Sequence, residues 1–418
     1  MSKDFDVIVI GAGMVGSALA CLLAQQPGEL SLAVIDARES TPFDEGTDYR
    51  PRVSAISRAS TRVLEACGVW PRIAASRTSP YRSMYVWDGA YSADQAGAIC
   101  FESAEIGEPE LGHIVENELI EHCLRERLQV TPGVQVFCPG EASGLVFSER
   151  GALVDLTGGA TLRARLVVGA DGSASPSRTM AGIEATGHEY GQSAVVCHVR
   201  TEKPHGETAR QRFLPDGPLA LLPLADGRSS IVWSTTPEQA AELIAMDDAA
   251  FLAQLSRAAD KVLGEVTETS RRFAFPLRIQ NASHYVRERY ALVGDAAHTV
   301  HPLAGQGVNL GFLDAAALAE VILDALADDR DPGERRVLRR YERWRKGENL
   351  LAASSIDAIG QLFLRQEPAA RAVRRAGMAL VNRAPLVKNE IVRRAMGITG
   401  NLPRFARPPL ENSAPSES

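Results

Sequence analysis

The sequence predicts an α/β protein in three parts: a Rossmann-like nucleotide-binding domain, a β-rich domain inserted into it, and a C-terminal helical region. Three observations support this fold class. A strand, a glycine-rich turn and a helix open the chain, alternating polar and apolar residues occupy its middle, and a second strand–glycine–helix unit begins near residue 290. Strands that alternate with helices favour a parallel sheet, whereas alternating residue patterns favour an antiparallel one.

The first unit begins with residues 7–10, a short apolar run that fits a buried parallel strand. Gly11, Gly13 and Gly16 follow at the G-x-G-x-x-G spacing. In such a unit the first glycine allows the tight turn, the second lets the backbone approach a pyrophosphate, and the third lets helix and strand pack closely. The spacing predicts a dinucleotide site, although glycines alone also occur in the turns of other α/β proteins.

Two neighbouring features strengthen this prediction. Met14 begins an apolar helix, and the N–H groups and positive dipole end at its N terminus suit a phosphate. A second strand, residues 32–35, ends in Asp36, which can accept hydrogen bonds from a ribose. An acidic residue at this position favours a free 2′-hydroxyl, and therefore NAD or FAD over NADP.

Composition and charge narrow the class of protein. The 418 residues are 45% hydrophobic and 23% charged, as expected for two or three globular domains. No apolar run reaches the roughly 18 residues of a membrane span, and the first residues enter a strand without a signal peptide. The six cysteines form no C-x-x-C pair, so we expect no metal site and a cytoplasmic location. We expect no nucleic-acid partner.

The net charge of −7 conceals an uneven distribution. Residues 361–410 carry ten Lys or Arg against two Glu, a balance of +8, which leaves −15 for the rest of the chain. Apolar residues are interleaved with the basic ones. This pattern predicts a basic C-terminal surface that docks on an anionic membrane or an accessory protein. Helices that pack an apolar face on the nucleotide-binding domain are the alternative.

Two polar residues follow the first unit at informative places. The guanidinium of Arg52 can face a phosphate or a cofactor ring, and the alternative is an ordinary surface arginine. Residues 162–171 form another apolar strand, which ends in Asp171 and Gly172. This places a carboxylate at the carboxyl edge of the sheet, where open α/β sheets bind ligands.

The middle of the chain predicts a separate β-rich domain that forms one wall of a pocket. Residues 195–200, 219–224 and 229–235 have the character of antiparallel strands, and Asp226-Gly227 is a hairpin signal between the last two. One or two helices are expected over residues 237–255.

The chain then returns to the nucleotide-binding domain. Residues 290–293 form a short apolar strand that leads to Asp295, and Gly305, Gly307 and Gly311 open an Ala/Leu-rich helix. The start of this helix can face an anion or a polarised ring oxygen. The two units together are expected to hold both halves of one dinucleotide.

These patterns predict a discontinuous division of the chain. The nucleotide-binding domain is expected to comprise residues 1–80, 111–189 and 277–345. The β-rich substrate domain takes residues 81–110 and 190–276, and the C-terminal helical region with a flexible tail takes residues 346–418.

Three separated motifs resemble those of one enzyme family. They are GAGMVG at 11–16, GADGSASPSR at 169–178 and GDAAHTVHPLAGQGVNLG at 294–311. The chain resembles the class A FAD-dependent aromatic hydroxylases, which share the p-hydroxybenzoate hydroxylase fold. PRVSAISRAS at 51–60, LGHIVEN at 111–117 and LLPLADGRSSIVWS at 221–234 resemble the ubiquinone-biosynthesis hydroxylases. RRYERWRKGEN and VRRAMGI resemble most closely the polyprenylphenol C5-hydroxylase branch.

The resemblance implies a set of FAD-binding residues. They are Gly11, Gly13, Met14, Gly16, Asp36, Arg52, Asn117, Asp171, Asp295, Pro302, Gly305, Gln306, Gly307, Val308 and Asn309. The first five would hold the ADP half, Arg52 and Asn117 would lie along the ribityl chain and pyrophosphate, and Asp295 would bind the ribityl chain. Residues 305–309 would present N–H groups to the flavin ring, and the stretch around Asp171 would line the cleft used by a pyridine nucleotide in related enzymes.

The resemblance also implies an activity. The protein would hydroxylate a polyprenylated phenol in ubiquinone biosynthesis, with O2 and a flavin hydroperoxide, because side chains alone cannot activate oxygen. NAD(P)H or another donor would supply electrons, and the sequence shows no second nucleotide-binding unit that would identify NADPH as this donor. No catalytic acid or base is identified. We interpret His298 and His301 as structural, and the alternative for His301 is to position the phenol. Other quinone-biosynthesis proteins and the inner face of a membrane are possible partners.

Two alternatives stay open at this point. One is another flavoenzyme of the same fold, a halogenase or a prenyl reductase, although the W-x-W pattern of flavin halogenases is absent. The other is a flavin-bearing scaffold of a quinone-biosynthesis complex without turnover, which the complete motif set disfavours.

Overall fold

The computed structural model describes residues 3–25, 30–39, 42–92, 98–300, 307–365 and 367–408. Within these ranges the predicted α/β fold class is confirmed: the strands form three sheets, and α-helices cover them. The strands are β1 Lys3–Ile10, β2 Leu32–Ile35, β3 Val53–Ser57, β4 Ser79–Tyr81, β5 Ser83–Asp88, β6 Ala98–Glu102, β7 Gly112–Glu116, β8 Val134–Phe137, β9 Ala142–Ser148, β10 Gly151–Leu156, β11 Thr161–Gly169, β12 Ala185–Thr201, β13 Thr208–Leu214, β14 Gly217–Pro223, β15 Ser229–Thr235, β16 Val266–Thr269, β17 Phe273–Ala282, β18 Val286–Arg287, β19 Tyr290–Leu292 and β20 His298–Thr299.

The helices connect these strands and extend the chain beyond the last of them. They are α1 Met14–Ala24, α2 Arg58–Ala66, α3 Trp70–Ala75, α4 Asn117–Gln129, α5 Pro176–Met180, α6 Pro237–Ala245, α7 Asp248–Ala258, α8 Gly307–Ala327, α9 Arg335–Leu364, α10 Pro368–Arg383 and α11 Pro385–Ala395.

The first sheet carries the predicted nucleotide-binding unit. Its order is β18-β19-β11-β1-β2-β8, and β10 and β9 extend it beside β11. The pairs β19–β11, β11–β1, β1–β2 and β2–β8 are all parallel. Residues 7–10 and 32–35 are buried and pack with α1, α4 and α8 in one large apolar core, which explains their continuous apolar sequence. The carboxyl ends of β1, β2 and β11 therefore lie side by side, as the sequence predicted.

The second sheet is the predicted β-rich region. Its order is β20-β17-β12-β15-β14-β13-β5-β6, with β16 beside β12. β14 and β15 form the antiparallel hairpin that Asp226-Gly227 predicted. One pair differs from the expectation, because β13 runs parallel to β5. These two strands lie far apart in sequence, so no short turn constrains their relative direction.

The two faces of this sheet have different neighbours. On one face Leu219, Leu221 and Trp233 pack with side chains of α6 and α7. On the other face Ala220 and Leu222 belong to a cluster that includes residues of β4, β7 and α11. Successive side chains of β14 therefore pack into two different clusters, one on each face of the sheet. The second face points toward the nucleotide-binding domain.

Three long elements run uninterrupted through the predicted domain boundaries. β12 spans the position 189/190, β17 spans 276/277, and α9 spans 345/346. The predicted division stays a prediction, and any domains of this chain share these elements.

The predicted basic C-terminal surface needs a correction. Arg374 in α10 is buried, and its Nε lies 2.7 Å from Oδ2 of Asp88 at the end of β5. Lys388 in α11 is also buried, with its Nζ 2.6 Å from Oε2 of Glu105. These two cations anchor the helices on the second sheet and neutralise acids there, so the accessible positive charge is smaller than the sequence balance suggested.

Among the helices that the structure describes, none combines the length and the apolar character needed to cross a bilayer. The predicted tail includes residues 409–418, which lie outside the described residues.

Candidate functional site

An open cleft lies at the carboxyl ends of β1, β2 and β11. It has a volume of about 290 Å³, and Gly11, Gly13, Asp36 and Asp171 line it together. The structure therefore brings four of the sequence-predicted residues into one place. Parallel strands deliver them there because the turns that follow neighbouring strands emerge at the same edge of the sheet.

The three motif glycines have different reasons to be glycine. Gly11 has φ +106°, and a Cβ there would lie 2.4 Å from the carbonyl oxygen of Ala170. A Cβ on Gly16 would lie 2.0 Å from the carbonyl oxygen of Gly11. At Gly13, in contrast, a Cβ would meet no protein atom within 4 Å. Gly11 and Gly16 are thus required by the fold, whereas the space beside Gly13 is open toward the cleft.

The Asp36 carboxylate is already engaged by protein donors. Its Oδ2 accepts from the Ala12 N–H at 2.6 Å and from Nη2 of Arg125 at 3.0 Å, and its Oδ1 accepts from the Arg38 N–H at 2.8 Å. Arg125 also donates to the carbonyl oxygens of Ala12 and Arg38. Asp36 therefore stabilises the glycine turn. A ribose hydroxyl that donates to Asp36 would bind a carboxylate oxygen that already accepts hydrogen bonds from the protein.

Sequence reasoning missed Arg125. It lies in α4, 89 residues from Asp36, and is 7% exposed. In the sequence, Arg125 is an arginine among the apolar positions of an amphipathic helix, with Glu121 one turn earlier. This pattern is the same for an arginine that is buried against a distant acid and for one in a surface ion pair.

The Asp171 carboxylate also accepts hydrogen bonds from residues of the turn that follows it. Its Oδ1 accepts from the hydroxyls of Ser175 at 2.6 Å and Ser177 at 2.9 Å, and its Oδ2 accepts from the Ser177 N–H at 2.8 Å. The carboxylate lies on the cleft wall and fixes the start of α5.

A second group of predicted residues assembles around β3. The Asn117 N–H donates to the Arg52 carbonyl oxygen at 3.1 Å, and its Oδ1 accepts from the Ser54 hydroxyl at 2.7 Å. Asn309, near the start of α8, accepts from the Ser57 N–H at 3.0 Å and donates to the Ala55 carbonyl oxygen at 2.8 Å. Asn309 is thus a clamp between α8 and a strand some 250 residues earlier in the chain.

Asp295 is the one predicted acid whose carboxylate receives no hydrogen bond from any described residue. The residue is exposed to solvent. Desolvation by neighbouring protein atoms nevertheless raises the pKa of its carboxyl group, an effect that the positive charges of His298 and Arg52 partly offset. Arg52 is itself exposed and lies with its Cζ 5.8 Å from the centre of the Phe275 ring. Asp295 is therefore a free acceptor, as a ligand hydroxyl would require.

The two groups of residues meet at Val15 in α1. A Cβ on Gly311 would lie 2.6 Å from the Val15 side chain, and a Cβ on Gly294 would lie 3.2 Å from it. The starts of α1 and α8 and the turn with Asp295 therefore adjoin. Gly307 and Val308 open α8 as predicted. Pro302, Gly305, Gln306 and His301 lie outside the described residues.

Behind the Asp295 turn lies a buried polar network centred on Asp314 of α8. Its Oδ2 contacts Nε2 of His298 at 2.5 Å and accepts from the Gly294 N–H at 3.2 Å. Its Oδ1 accepts from Arg345 and Asn349 of α9, each at 2.9 Å. Burial alone would raise the pKa of Asp314, but His298 and Arg345 lower it to about 2.

This network agrees with the structural interpretation of His298. The ring is 4% exposed and its Nε2 faces a carboxylate rather than a cleft. The sequence did not predict Asp314, Arg345 or Asn349, because they lie within long helices, where a polar residue is ordinarily a surface residue.

A second, smaller cavity lies between the second sheet and the nucleotide-binding domain. Its lining consists of Ala55, Ser57, Tyr81, Met84, Ala209, Arg210, Gln211, Ala220, Leu222, Asn309, Ala395 and Met396. The cavity has a volume of about 30 Å³, and its lining is mostly apolar with a few polar groups, a composition that small-molecule sites share. Burial raises the pKa of Tyr81, so its hydroxyl stays protonated and lies 3.9 Å from the Met396 sulfur.

The residues present fit FAD. The uncapped N terminus of α1 and the open space at Gly13 suit a pyrophosphate. Asp295 offers an unoccupied acceptor for a ribityl hydroxyl, and the start of α8 lies between it and the small cavity. The cavity shares Asn309 with this helix start, so a ring in it would adjoin the flavin end.

Comparison with known families agrees with this geometry. A family described as an FAD binding domain matches residues 4–348. The 3-demethoxyubiquinol 3-hydroxylase of Escherichia coli is 37% identical over 95% of this chain and 100% of its own length. The mitochondrial ubiquinone biosynthesis monooxygenase COQ6 of Xenopus tropicalis is 33% identical over 93% of this chain and 92% of its own length.

Solved structures share the fold. The p-nitrophenol 4-monooxygenase PnpA of Pseudomonas putida superposes with a TM-score of 0.76 at 20% identity, over 95% of this chain and 99% of that one. The probable FAD-dependent monooxygenase pqsL of Pseudomonas aeruginosa gives 0.73 at 24% identity, over 90% of this chain and 99% of its own.

Proposed function

Because the chain belongs to the FAD binding domain family, and within it to the ubiquinone-biosynthesis hydroxylases, we propose that it hydroxylates the aromatic ring of a polyprenylated phenol. It is an FAD-dependent aromatic-ring monooxygenase. The substrate and its branch, the polyprenylphenol C5-hydroxylases, are the proposed part. The E. coli relative is named a 3-hydroxylase, so experiment must decide the ring carbon.

One observation carries the proposal. Asn309 belongs both to the helix start expected at the flavin ring and to the lining of the small cavity. A phenol in this cavity would therefore meet the reactive edge of the cofactor. Residues of the second sheet line the other side of the cavity, which supports the proposal that this sheet belongs to a substrate domain.

The described residues have separate roles in this proposal. Bound FAD supplies the oxygen activation that side chains cannot perform. Gly13 and the N terminus of α1 would bind the pyrophosphate, and Asp295 and Asn117 would orient the ribityl chain. The apolar wall of Met84, Ala220 and Leu222 would exclude water from the ring.

Polar groups in the cavity would orient the phenol. Ser57, Arg210 and Gln211 contribute them, and the lining contains no carboxylate. No catalytic acid or base is assigned to them. Tyr81, held protonated, can donate a hydrogen bond to the phenol oxygen.

We also propose an electron donor and a location in the cell. NAD(P)H or a protein donor would reduce the flavin. The prenyl chain of the substrate partitions into lipid, so we propose that the enzyme works at the inner face of a membrane, beside other proteins of quinone biosynthesis.

Mass spectrometry of a strain that lacks this protein tests the proposal. The expected result is an intermediate that lacks one ring oxygen, and its disappearance when the wild-type chain is restored. A complete ring with an altered degree of saturation in the prenyl chain would instead identify a prenyl reductase. Normal quinone in the deletion strain would contradict the proposed substrate.

The strain also separates turnover from a scaffold role. Restoration with Asp295→Ala leaves the buried core intact and weakens only the flavin site. Quinone synthesis should remain low with this variant, whereas a scaffold without turnover would be restored by it.

A further inference from the structure

The C-terminal helices display a concentration of exposed apolar side chains. Ten large apolar side chains are exposed among the described residues, and eight of these belong to α9, α10 or α11. They are Leu350, Leu351, Ile359, Val373, Leu380, Leu386, Val387 and Ile391. Apolar exposure that gathers in one region marks an interaction site, whereas single exposed residues need no explanation.

In α10 and α11 the exposed residues follow the helical repeat. Val373 and Leu380 are seven residues apart, and Val387 and Ile391 are four apart, so each pair shares one side of its helix. Leu386 at the start of α11 is 87% exposed, and Leu380 is 70% exposed. We call these five residues the α10–α11 face.

Packing within the chain does not account for this face. The inward side of the two helices consists of Arg374, Met378, Lys388 and Val392, all of which are buried. Arg374 and Lys388 anchor the helices through ion pairs with Asp88 at the end of β5 and with Glu105 just after β6. The apolar residues of the α10–α11 face take no part in that anchoring.

The same helices carry positive charge with little opposing charge. Apart from the buried Arg374 and Lys388, α10 contains three Arg and no acidic residue, and α11 contains two Arg against one Glu. Arg383, and Arg365 just before α10, are exposed, and no described residue pairs with either guanidinium. Arg394 lies seven residues after Val387, on the same side of α11, and reaches Glu348 only at 3.4 Å.

We infer that the α10–α11 face docks on the surface of an anionic lipid bilayer. Exposed leucines and valines on a basic helical surface insert at the boundary of head groups and acyl chains, while arginines pair with the phosphates. A second copy of the chain fits less well, because a symmetric contact would oppose two positively charged faces.

The position of the face suits a lipid-borne substrate, and this link rests on the proposed function. An apolar groove lies between α9 and the second sheet, lined among others by Phe213, Ile356 and Phe363. Docking through the neighbouring helices would place this groove near the bilayer that holds the prenyl chain.

Sedimentation of the full-length, FAD-loaded protein with vesicles tests the inference. Vesicles of equal parts phosphatidylglycerol and phosphatidylcholine should bind the protein at low salt, and pure phosphatidylcholine should bind it at least about tenfold more weakly. High salt should reduce the binding to anionic vesicles, because screening weakens the contribution of the arginines.

Two double variants separate the contributions of the face. Leu380→Asp with Leu386→Asp should lower the partition by about tenfold or more, and Arg365→Glu with Arg383→Glu by a similar factor. These side chains are exposed, so the variants should fold, and their flavin absorbance and thermal unfolding midpoint should equal those of the wild type.

Matched controls carry the same changes elsewhere. Val130 and Val146 are the two other exposed large apolar residues among the described ones, at 73% and 55%. Val130→Asp with Val146→Asp, and Arg150→Glu as a basic control, should leave vesicle binding unchanged. Equal losses in controls and face variants would overturn the inference, as would no binding to anionic vesicles at low salt.

Sedimentation velocity without lipid addresses a competing occupant. A dimer that Leu380→Asp with Leu386→Asp converts to monomer would assign the face to a second copy and overturn the lipid assignment. Vesicle binding needs no turnover. Hydroxylation of a short-chain phenol in detergent tests the proposed function separately, so either can fail alone.

Discussion

At the proposed pyrophosphate end of the cofactor site, the glycine turn and Asp36 lie within one stretch of 26 residues, from Gly11 onward. At the proposed ribityl and ring end, Asn117, Asp295 and Asn309 come from three segments that only the fold brings together. The first end is fixed mainly by close backbone contacts, between Gly16 and Gly11 and between Gly11 and Ala170 at the end of the neighbouring strand. The second depends on hydrogen bonds between distant elements.

This difference predicts how each end fails. A change at the pyrophosphate end should remove cofactor binding by direct collision, and the rest of the protein should remain folded. A change at Asn117 or Asn309 should couple cofactor binding to stability, because their hydrogen bonds join distant elements of the fold.

The largest effect on FAD affinity is expected from Gly13→Leu. A Cβ at this position meets no protein atom within 4 Å, so the apoprotein should fold, while the leucine side chain would occupy the space proposed for the pyrophosphate. FAD affinity should fall by about two orders of magnitude or more, ~3 kcal/mol. Titration of the apoprotein with FAD, followed by quenching of flavin fluorescence, measures this.

Gly16→Leu is the matched comparison. Here the Cβ would lie 2.0 Å from a backbone oxygen, so the thermal unfolding midpoint of the apoprotein should fall. A Gly13→Leu protein that still binds FAD as the wild type does would remove Gly13 from the site.

Asp314→Asn should have the largest effect on stability. Loss of the charge leaves Arg345 and the surrounding network buried without their counter-charge, and breaking a buried pair costs about 3–5 kcal/mol. The folded-state pKa of Asp314 is depressed from 3.8 to about 2, so its stabilising contribution is present above pH 3.8 and is lost as the pH falls toward 2. Urea unfolding across this range measures both effects.

The same variant distinguishes a positioning role from a purely structural one. The network holds the Gly294 N–H, and so the turn that carries Asp295. FAD affinity measured at a temperature where the variant is fully folded should therefore also decrease. Unchanged affinity in the folded variant would confine Asp314 to stability.

Asp295→Ala should weaken FAD binding by about 1.5–3 kcal/mol, because it removes a charged acceptor for a ribityl hydroxyl. Unlike Asp314, this residue should not be needed for folding. Isothermal titration of the apoprotein measures the change, and wild-type affinity in the variant would mean that the flavin does not contact Asp295.

Asp295→Asn tests whether the negative charge of Asp295 stabilises or destabilises the folded apoprotein. Burial raises the pKa of Asp295 above its ordinary 3.8, so the ionised form is a cost to the folded apoprotein above that pH. The Asn variant should therefore be more stable than the wild type at neutral pH, and this advantage should vanish at low pH.

Asn309→Ala should lower the stability of the apoprotein less than Asp314→Asn does. It removes the two hydrogen bonds that join α8 to β3, which contribute about 0.5–1.5 kcal/mol each. Denaturation of the apoprotein should show this loss. A larger decrease in turnover than in stability would agree with its position between the flavin end and the cavity.

The two ends of the proposed cofactor site also differ in how well the sequence predicts them. The glycine turn, the strands at residues 7–10 and 32–35 and the start of α8 were predicted because period and spacing are local properties of the chain. The parallel pairing of β13 with β5 was not predicted, since nothing in either strand records the direction of a distant partner.

Buried ionic groups are the second feature that sequence analysis did not predict. Arg125, Asp314 and Arg374 are all buried, and each pairs with at least one residue that lies 31 or more positions away. In a sequence, a charged residue on a helix reads as a surface residue, and only the fold shows the counter-charge that makes its burial tolerable. For the same reason the C-terminal charge balance overstated the accessible positive surface.

The most direct test of ring hydroxylation is the fate of labelled oxygen. The FAD-loaded protein is given a prenylated phenol, a reductant and heavy-isotope O2, and the product is analysed by mass spectrometry. We predict one labelled oxygen on the ring for each substrate converted, with the second oxygen atom reduced to water by two electrons from the reductant. Reduced flavin that consumes O2 while the ring remains unlabelled would contradict the account.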